Sequence, residues 1–175
     1  MCITYDASGL TSGQEAGLTM WHLVSGQWVN ATSSRNPASN IICGTVPSLS
    51  WFGIGKNLSG PTFTLNRLKD TLWPPDHTMS KVAIVSDVAD NLDPSPNVDI
   101  KVMSNETVNG KGDGKTAPDW DVRKVGNTWE VWVRAELSEK SKERIYTITA
   151  TVSDRSGNAA TKSTTVTVPH DKGKR

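Results

Sequence analysis

Between residues 146 and 152, Tyr146, Ile148, Ala150 and Val152 alternate strictly with Thr147, Thr149 and Thr151. A period of two, with one apolar and one hydroxyl face, is what a half-buried antiparallel strand requires. Ser156-Gly157-Asn158 then turns the chain into a second such run, where Val166 and Val168 alternate with Thr165 and Thr167. Asp154 ahead of that turn, with Gly157 and Asn158 able to take positive φ, is ordinary turn chemistry, and residues 154–158 read as structural. The same rhythm places strands at 62–68, 81–88, 97–104, 119–124, 128–137, 144–153 and 159–168. That spacing predicts an all-β chain whose larger part, 65–169, is an immunoglobulin-like antiparallel β-sandwich; its first strand begins as early as residue 62. No stretch longer than about ten residues has a helical period. Residues 137–144 are helix-permissive, but nothing after Leu137 is apolar, so they read as a solvated hairpin loop.

Upstream, shorter apolar runs recur at 1–5, 18–24, 27–31, 40–46 and 49–54. Ser25-Gly26 is a tight-turn signal that pairs 18–24 with 27–32 as a hairpin. Within it Met20, His22 and Val24 face one way, and Trp21 and Leu23 the other. Asn36-Pro37 breaks the chain before the next strand. Five short strands are few for a closed sandwich. Residues 1–56 therefore read as a partial β-rich unit, 57–64 as a linker, and 170–175 as a disordered basic tail. Open strand edges invite pairing with another chain, so a protein partner or a second copy is expected to add a strand to the first unit.

Charge narrows the partners further. With 19 Lys+Arg against 18 Asp+Glu the net charge is +1, which gives no pull toward nucleic acid or anionic lipid. No apolar run approaches the roughly 20 residues of a membrane span, and residues 1–30 show no signal-peptide pattern. Three histidines and two cysteines are little material for a zinc site. A Gly-x-Ser-x-Gly elbow is missing, and no Cys–His pair has a fixed relation, so no catalytic residues are expected.

Carboxylates gather in two loops, Asp87, Asp90 and Asp93 in one and Asp113, Asp119 and Asp121 in the other. Calcium takes about six to eight oxygens, and Asp113, Asp119 and Asp121 could supply a cage if strand ends bring them together. The competing reading is that these residues only form turns by bonding their own backbone. Calcium is the one cofactor the sequence raises.

In the run from Trp129 to Arg134, Trp129, Val131 and Val133 are expected inward, leaving Trp132 outside beside Arg134. An exposed Trp with polar neighbours stacks on a sugar ring or a protein partner; the plainer alternative is that those neighbours cover it. Trp120 is the second indole of that reading. Trp73, between Leu72 and Pro74, is expected to plug one end of the sandwich. The facing Thr and Ser residues of the last two strands read as a solvated face with cross-strand hydroxyl pairs. Cys2 and Cys43 lie in separate predicted strands and form a disulfide if those strands are neighbours; otherwise they are two small buried hydrophobes. His22, His77 and His170 are expected on the surface or in loops, and the sequons at Asn30, Asn57 and Asn105 matter only in a glycosylating host.

Several segments occur together: Thr71 to His77 (TLWPPDH), residues 86–96 (SDVADNLDPSP), Ser104-Asn105-Glu106, residues 109–114 (NGKGDG), Val133 to Glu136, Arg144 to Ile148, and Ser153 to Asn158. In combination they resemble the Ig-like modules, related to hyalin-repeat and PKD-type domains, near the C-termini of large secreted bacterial proteins. The first segment, with Cys2-Ile-Thr-Tyr-Asp6, Trp28-Val29, Ile42-Cys43-Gly44 and Ser48 to Phe52, resembles the end of a β-rich module that often precedes them. In such modules further strands come before the one holding Cys2, so the chain reads as the C-terminal piece of a larger architecture. The resemblance implies a non-catalytic module of a secreted or cell-surface assembly, extracellular, with its export signal outside this chain. The alternative is a carbohydrate-binding module that holds polysaccharide with Trp132, Arg134, Trp120 and loop carboxylates.

Overall fold

The computed structural model describes residues 1–48, 50–108, 114 and 116–171. The chain divides into two compact units. Unit 1 is Met1–Pro61 with Ala89–Pro96 and Ser153–Ala159; unit 2 is Thr62–Val88, Asn97–Val152 and Ala160–Arg175. Two loops that lie within the expected sandwich in sequence thus group with the first unit. The division falls after Pro61. Within residues 57–64, Asn57 is buried in unit 1 and Phe63 in the core of unit 2.

Unit 1 contains β1 (Cys2–Thr4), α1 (Ser12–Ala16), β2 (Leu18–Val24), β3 (Gln27–Asn30), β4 (Thr32–Asn36), a 3-10 turn (Pro37–Ser39), β5 (Ile41–Gly44) and β6 (Phe52–Lys56). They form two three-stranded sheets, β1-β5-β4 and β3-β2-β6. Leu18, Met20 and Ile42 are its buried centre, with Ile3, Tyr5, Phe52 and Ile54 packed around them. The β2–β3 hairpin forms where Ser25-Gly26 places it, with Val24 opposite Gln27. Both turn residues have positive φ (51° and 82°), the backbone of a two-residue turn that matches strand twist.

Three expectations for this unit change. Residues 32–36 form a strand, because Thr32–Asn36 pairs with β5 along Ile41–Gly44, giving six strands rather than five. A short helix forms where none was expected: Thr11 accepts from the Gln14 N–H and the Gln14 side chain returns to the Thr11 N–H, a capping box. His22 is buried rather than superficial, stacked on Phe52 at 4.7 Å, with Nε2 2.7 Å from the Ser50 hydroxyl.

Unit 2 contains β7 (Thr62–Arg67), β8 (Met79–Ala89), β9 (Asn97–Ser104), β10 (Trp120–Val125), β11 (Thr128–Arg134), β12 (Glu143–Ser153) and β13 (Ala159–Pro169), the terminal residues of β8, β12 and β13 counting with unit 1. The sheets are β10-β11-β8-β7 and β13-β12-β9. Lettered A to G in chain order, these are sheets A-B-E-D and C-F-G, the strand arrangement of an immunoglobulin-like sandwich. Tyr146, Ile148, Ala150 and Val152 of β12 are fully buried, as are Val166 and Val168 of β13. They meet Val82, Ala83, Val85, Val131 and Val133 of the other sheet in two neighbouring clusters. Outside, Thr149 pairs with Ser163 (2.9 Å) and Thr151 with Thr161 (3.0 Å) through their hydroxyls.

The expected solvated loop 137–144 is wrong at both ends. Leu137 is buried, and Arg144, the second residue of β12, has no exposed surface. Trp73 does not plug the sandwich either. It is 46% exposed, and its neighbour Leu72 is the buried residue. The segment beyond β7 explains this: Leu72 N–H bonds to Thr167 O (2.9 Å) and Thr167 N–H to Asp70 O (2.9 Å), fixing Leu72 inward beside β13.

Candidate functional site

The residues singled out in unit 2 divide between two structural clusters. Trp132 lies on the outer face of β11, as its alternation requires, but its indole is covered. The Arg123 guanidinium stacks 4.8 Å from the ring centroid and Lys81 approaches at 5.8 Å. Trp132 Nε1–H donates to Glu130 Oε2 (3.1 Å), and Glu130 also holds Lys81 Nζ at 2.8 Å. Asp121, the cross-strand neighbour of Trp132, binds Arg123 Nε at 2.6 Å. These groups satisfy one another and engage the indole through its ring and its N–H. Arg134 works as a clamp: its guanidinium donates twice to Pro118 O (3.1 and 2.9 Å) and once to His77 O (2.8 Å). Trp120 turns inward and packs edge-on against Tyr146 at 6.5 Å. Trp129 is half-buried against the second core cluster, its ring capped by Lys124.

Asp119 and Asp121 do not converge. Asp121 stays with Arg123 at the surface, whereas Asp119 is fully buried and paired with Arg144 Nη2. Asp113 lies outside the described residues. Among the described residues, no group of three or more His, Cys, Asp or Glu side chains is placed to hold a metal ion.

What the sequence did not reveal is the network around Arg144. Arg144 Nη1 donates to Glu136 Oε1 (2.9 Å) and Nε to Ser104 Oγ (2.9 Å), and its guanidinium lies 4.7 Å from the Tyr146 ring centroid. Tyr146 O–H donates to Arg134 O at 2.9 Å, tying β12 back to the end of β11. Burial, reinforced by the Asp119 charge, raises the pKa of Glu136 above its ordinary 4.5. Burial alone would lower that of Arg144, but its hydrogen bond to Asp119 and the surrounding negative charge leave it raised. Asp119 Oδ1 is a buried oxygen with no hydrogen-bond partner. Two carboxylates share one guanidinium here. The arrangement suits an ionic staple at the sandwich end.

In unit 1, Cys2 and Cys43 are cross-strand partners on β1 and β5 and form a disulfide with an S–S distance of 2.10 Å. The two most exposed tryptophans among the described residues are also here, on or beside the outer face of β3-β2-β6. Trp28 on β3 is 54% exposed, and Trp51, immediately before β6, is 76% exposed. Trp21 at the middle of β2 faces Asn30 on one side and Gly53 on the other. Glycine at 53 and 55 has a packing reason. A Cβ added at Gly53 would touch the Trp28 ring at 3.9 Å, and one at Gly55 would touch the Trp21 indole at 3.6 Å. Trp21, Trp28, Gly53 and Ile54 thus line a shallow groove of about 340 Å³.

On the same face, Thr19 lies two residues before Trp21 and Asn30 lies opposite it. Both line a smaller polar cavity of about 110 Å³ shared with Thr32, Arg35, Asn57, Asp93, Asp154 and Arg155. Asp154 accepts from Asn57 Nδ2 (3.1 Å), Asn158 Nδ2 (2.8 Å) and Asn158 N–H (2.8 Å). Asp93 accepts from Ser95 N–H and Arg155 N–H, both at 3.0 Å. The turn at 154–158 is thus structural, as expected, and it also walls this cavity.

No family model and no curated protein matches the sequence. Among solved structures the chain is similar to the protocadherin gammaB4 extracellular domain, at 14% identity and a TM-score of 0.39. The likeness covers 86% of this chain and 26% of that one, so the chain spans about a quarter of that protein's length. Agreement of this degree says nothing about activity or partner.

Proposed function

We propose that this chain is a non-catalytic extracellular interaction module whose contact surface is the outer face of β3-β2-β6. The observation that carries this reading is the exposure of Trp28 on β3 and of Trp51 immediately before β6. Its unit is pinned by the Cys2–Cys43 disulfide, a cross-link at home in an oxidising compartment. Large exposed indoles on a rigid support are typical of contact surfaces. The acids of unit 2 argue the same way, because Asp119 and Glu136 are committed to Arg144 rather than poised in an open cleft. The segments at 71–77 and 86–96 support placing the module among those of secreted bacterial multidomain proteins.

Strand addition is the second mode of contact, favoured by one observation: among the described residues, β3 and β6 are the outer strands of their sheet, each paired with β2 alone. A second copy is the simplest partner for such an edge.

Multivalent display tests both readings. Beads coated with the chain are expected to adhere to extracellular-matrix or cell-wall surfaces, and W28A/W51A beads to lose that adhesion. Equal adhesion by both would overturn the assignment of this face. Sedimentation velocity over a concentration series reads strand addition: a monomer at every concentration removes the second copy as the partner.

A further inference from the structure

We infer that the outer face of β3-β2-β6 is a saccharide site, with Trp21 and Trp28 as the stacking platform and the cavity around Asn30 as the hydroxyl-recognising end. The inference rests on the preceding reading of this face as a contact surface and names the ligand class it takes. Two features of one face carry it together. The aromatic half is flat and open because glycines, not branched side chains, lie across from the indoles. The polar half begins one cross-strand step away, where Asn30 and Thr19 flank Trp21 and line the second cavity.

Each half matches a different side of a pyranose. A ring whose substituents are equatorial presents a sheet of C–H groups to an indole, and the contact is dry and dispersive. Its vicinal hydroxyls need convergent donors and acceptors at the edge of that contact. Asn30 commits its side-chain oxygen to the Thr32 N–H (3.0 Å), so what it offers a ligand is its amide NH₂. Arg155 adds a fork of donors: its side chain is largely exposed, with Nε 3.5 Å from Asp93 Oδ1. Asp93 and Asp154, only 5% and 7% exposed, are held from behind by several hydrogen bonds, which fixes the wall against which those donors stand. A mainly apolar protein segment would leave this charged end unpaired, at a cost. A β-linked gluco-configured oligosaccharide satisfies both ends, and the groove of about 340 Å³ is within the usual range of small-ligand clefts.

The probes are cellohexaose and chitohexaose, titrated into the whole chain and followed by calorimetry and by the indole N–H signals of its seven tryptophans. Saturable binding of at least one is expected, with the Trp21 and Trp28 signals moving while those of Trp129 and Trp132 stay in place. W28A should weaken binding by about tenfold or more. If W28A disturbs the fold, Gly53→Leu gives the second reading: it keeps both indoles and fills the groove, so it should abolish binding with the melt unchanged. No saturable response to either probe overturns the inference, as does binding that both variants leave intact. Bead adhesion that depends on Trp28 without any response to the sugars would sink the saccharide assignment and leave the contact surface standing.

Discussion

Arg144 shows how one residue can set the chemistry of an entire sandwich end. Its charge is opposed by two fully buried carboxylates, so its removal strips Asp119 of its cation and leaves Glu136 with the more distant Arg134, whose Nε is 3.9 Å away. Arg144→Met should cost about 3–5 kcal/mol in a urea melt at neutral pH. The deficit should shrink in acid, where Glu136 takes up a proton. Glu136 makes a second prediction with a definite sign. Its pKa is raised in the folded state, so folding favours the protonated form, and its contribution is fully present below pH 4.5. That contribution is lost as pH rises through the folded-state value. The stability of the wild type relative to Glu136→Gln should therefore fall as pH rises across that window, as read from paired melts. A difference that is flat or rises over that range would show that Glu136 is not the group under strain. None of this was visible in the sequence, because Arg144 follows a polar stretch and alternation assigns faces only within a strand. The side-chain partners of Arg144 come from residues 40, 25 and 8 positions away.

At the level of elements, the most legible features were those written locally. The alternation in β12 and β13 and the Ser25-Gly26 turn all appear where the sequence puts them, because each is a short-range pattern of faces or backbone angles. The capping box at Thr11 and Gln14 was equally local and was overlooked because α1 is only five residues long. β4 was missed because Thr32–Asn36 is polar and mostly exposed, so no apolar period announces it; β5 makes it a strand. Trp132 sat on the side its register predicts, yet its availability depended on Arg123 and Lys81 from other strands, which no alternation reveals. Conversely, Trp21 and Trp28 were readable as one face of a hairpin, but the glycines that open that face lie on β6. The disulfide is also an element-scale device, joining β1 to β5 across a separation of 41 residues. A loop of that size restricts the unfolded chain enough that Cys2→Ser with Cys43→Ser should cost about 4 kcal/mol. Chemical denaturation with and without reductant checks this, and reductant should have no further effect on the double variant.

For the whole molecule, the sandwich was legible because its seven strands carry their own periodicity, whereas the extent of unit 1 was not, because membership there follows hydrogen bonds. Asn57 is held by Asp154, and Asn158 Nδ2 donates to the carbonyls of Asn57 (3.0 Å) and Ser59 (3.2 Å). A fragment ending at Pro61 keeps every strand of the two small sheets and loses these partners. That fragment should give a broad, low melt and poorly dispersed amide spectra, where the whole chain gives a sharp transition. A fragment that melts like the intact protein would show that 89–96 and 153–159 are dispensable to it. Most bead-on-a-string proteins can swap one bead for another by cutting the string once. Here a recombination joint placed after residue 61 would deliver a cassette lacking two of its own pieces, so this pair of units has to be inherited, shuffled and engineered together.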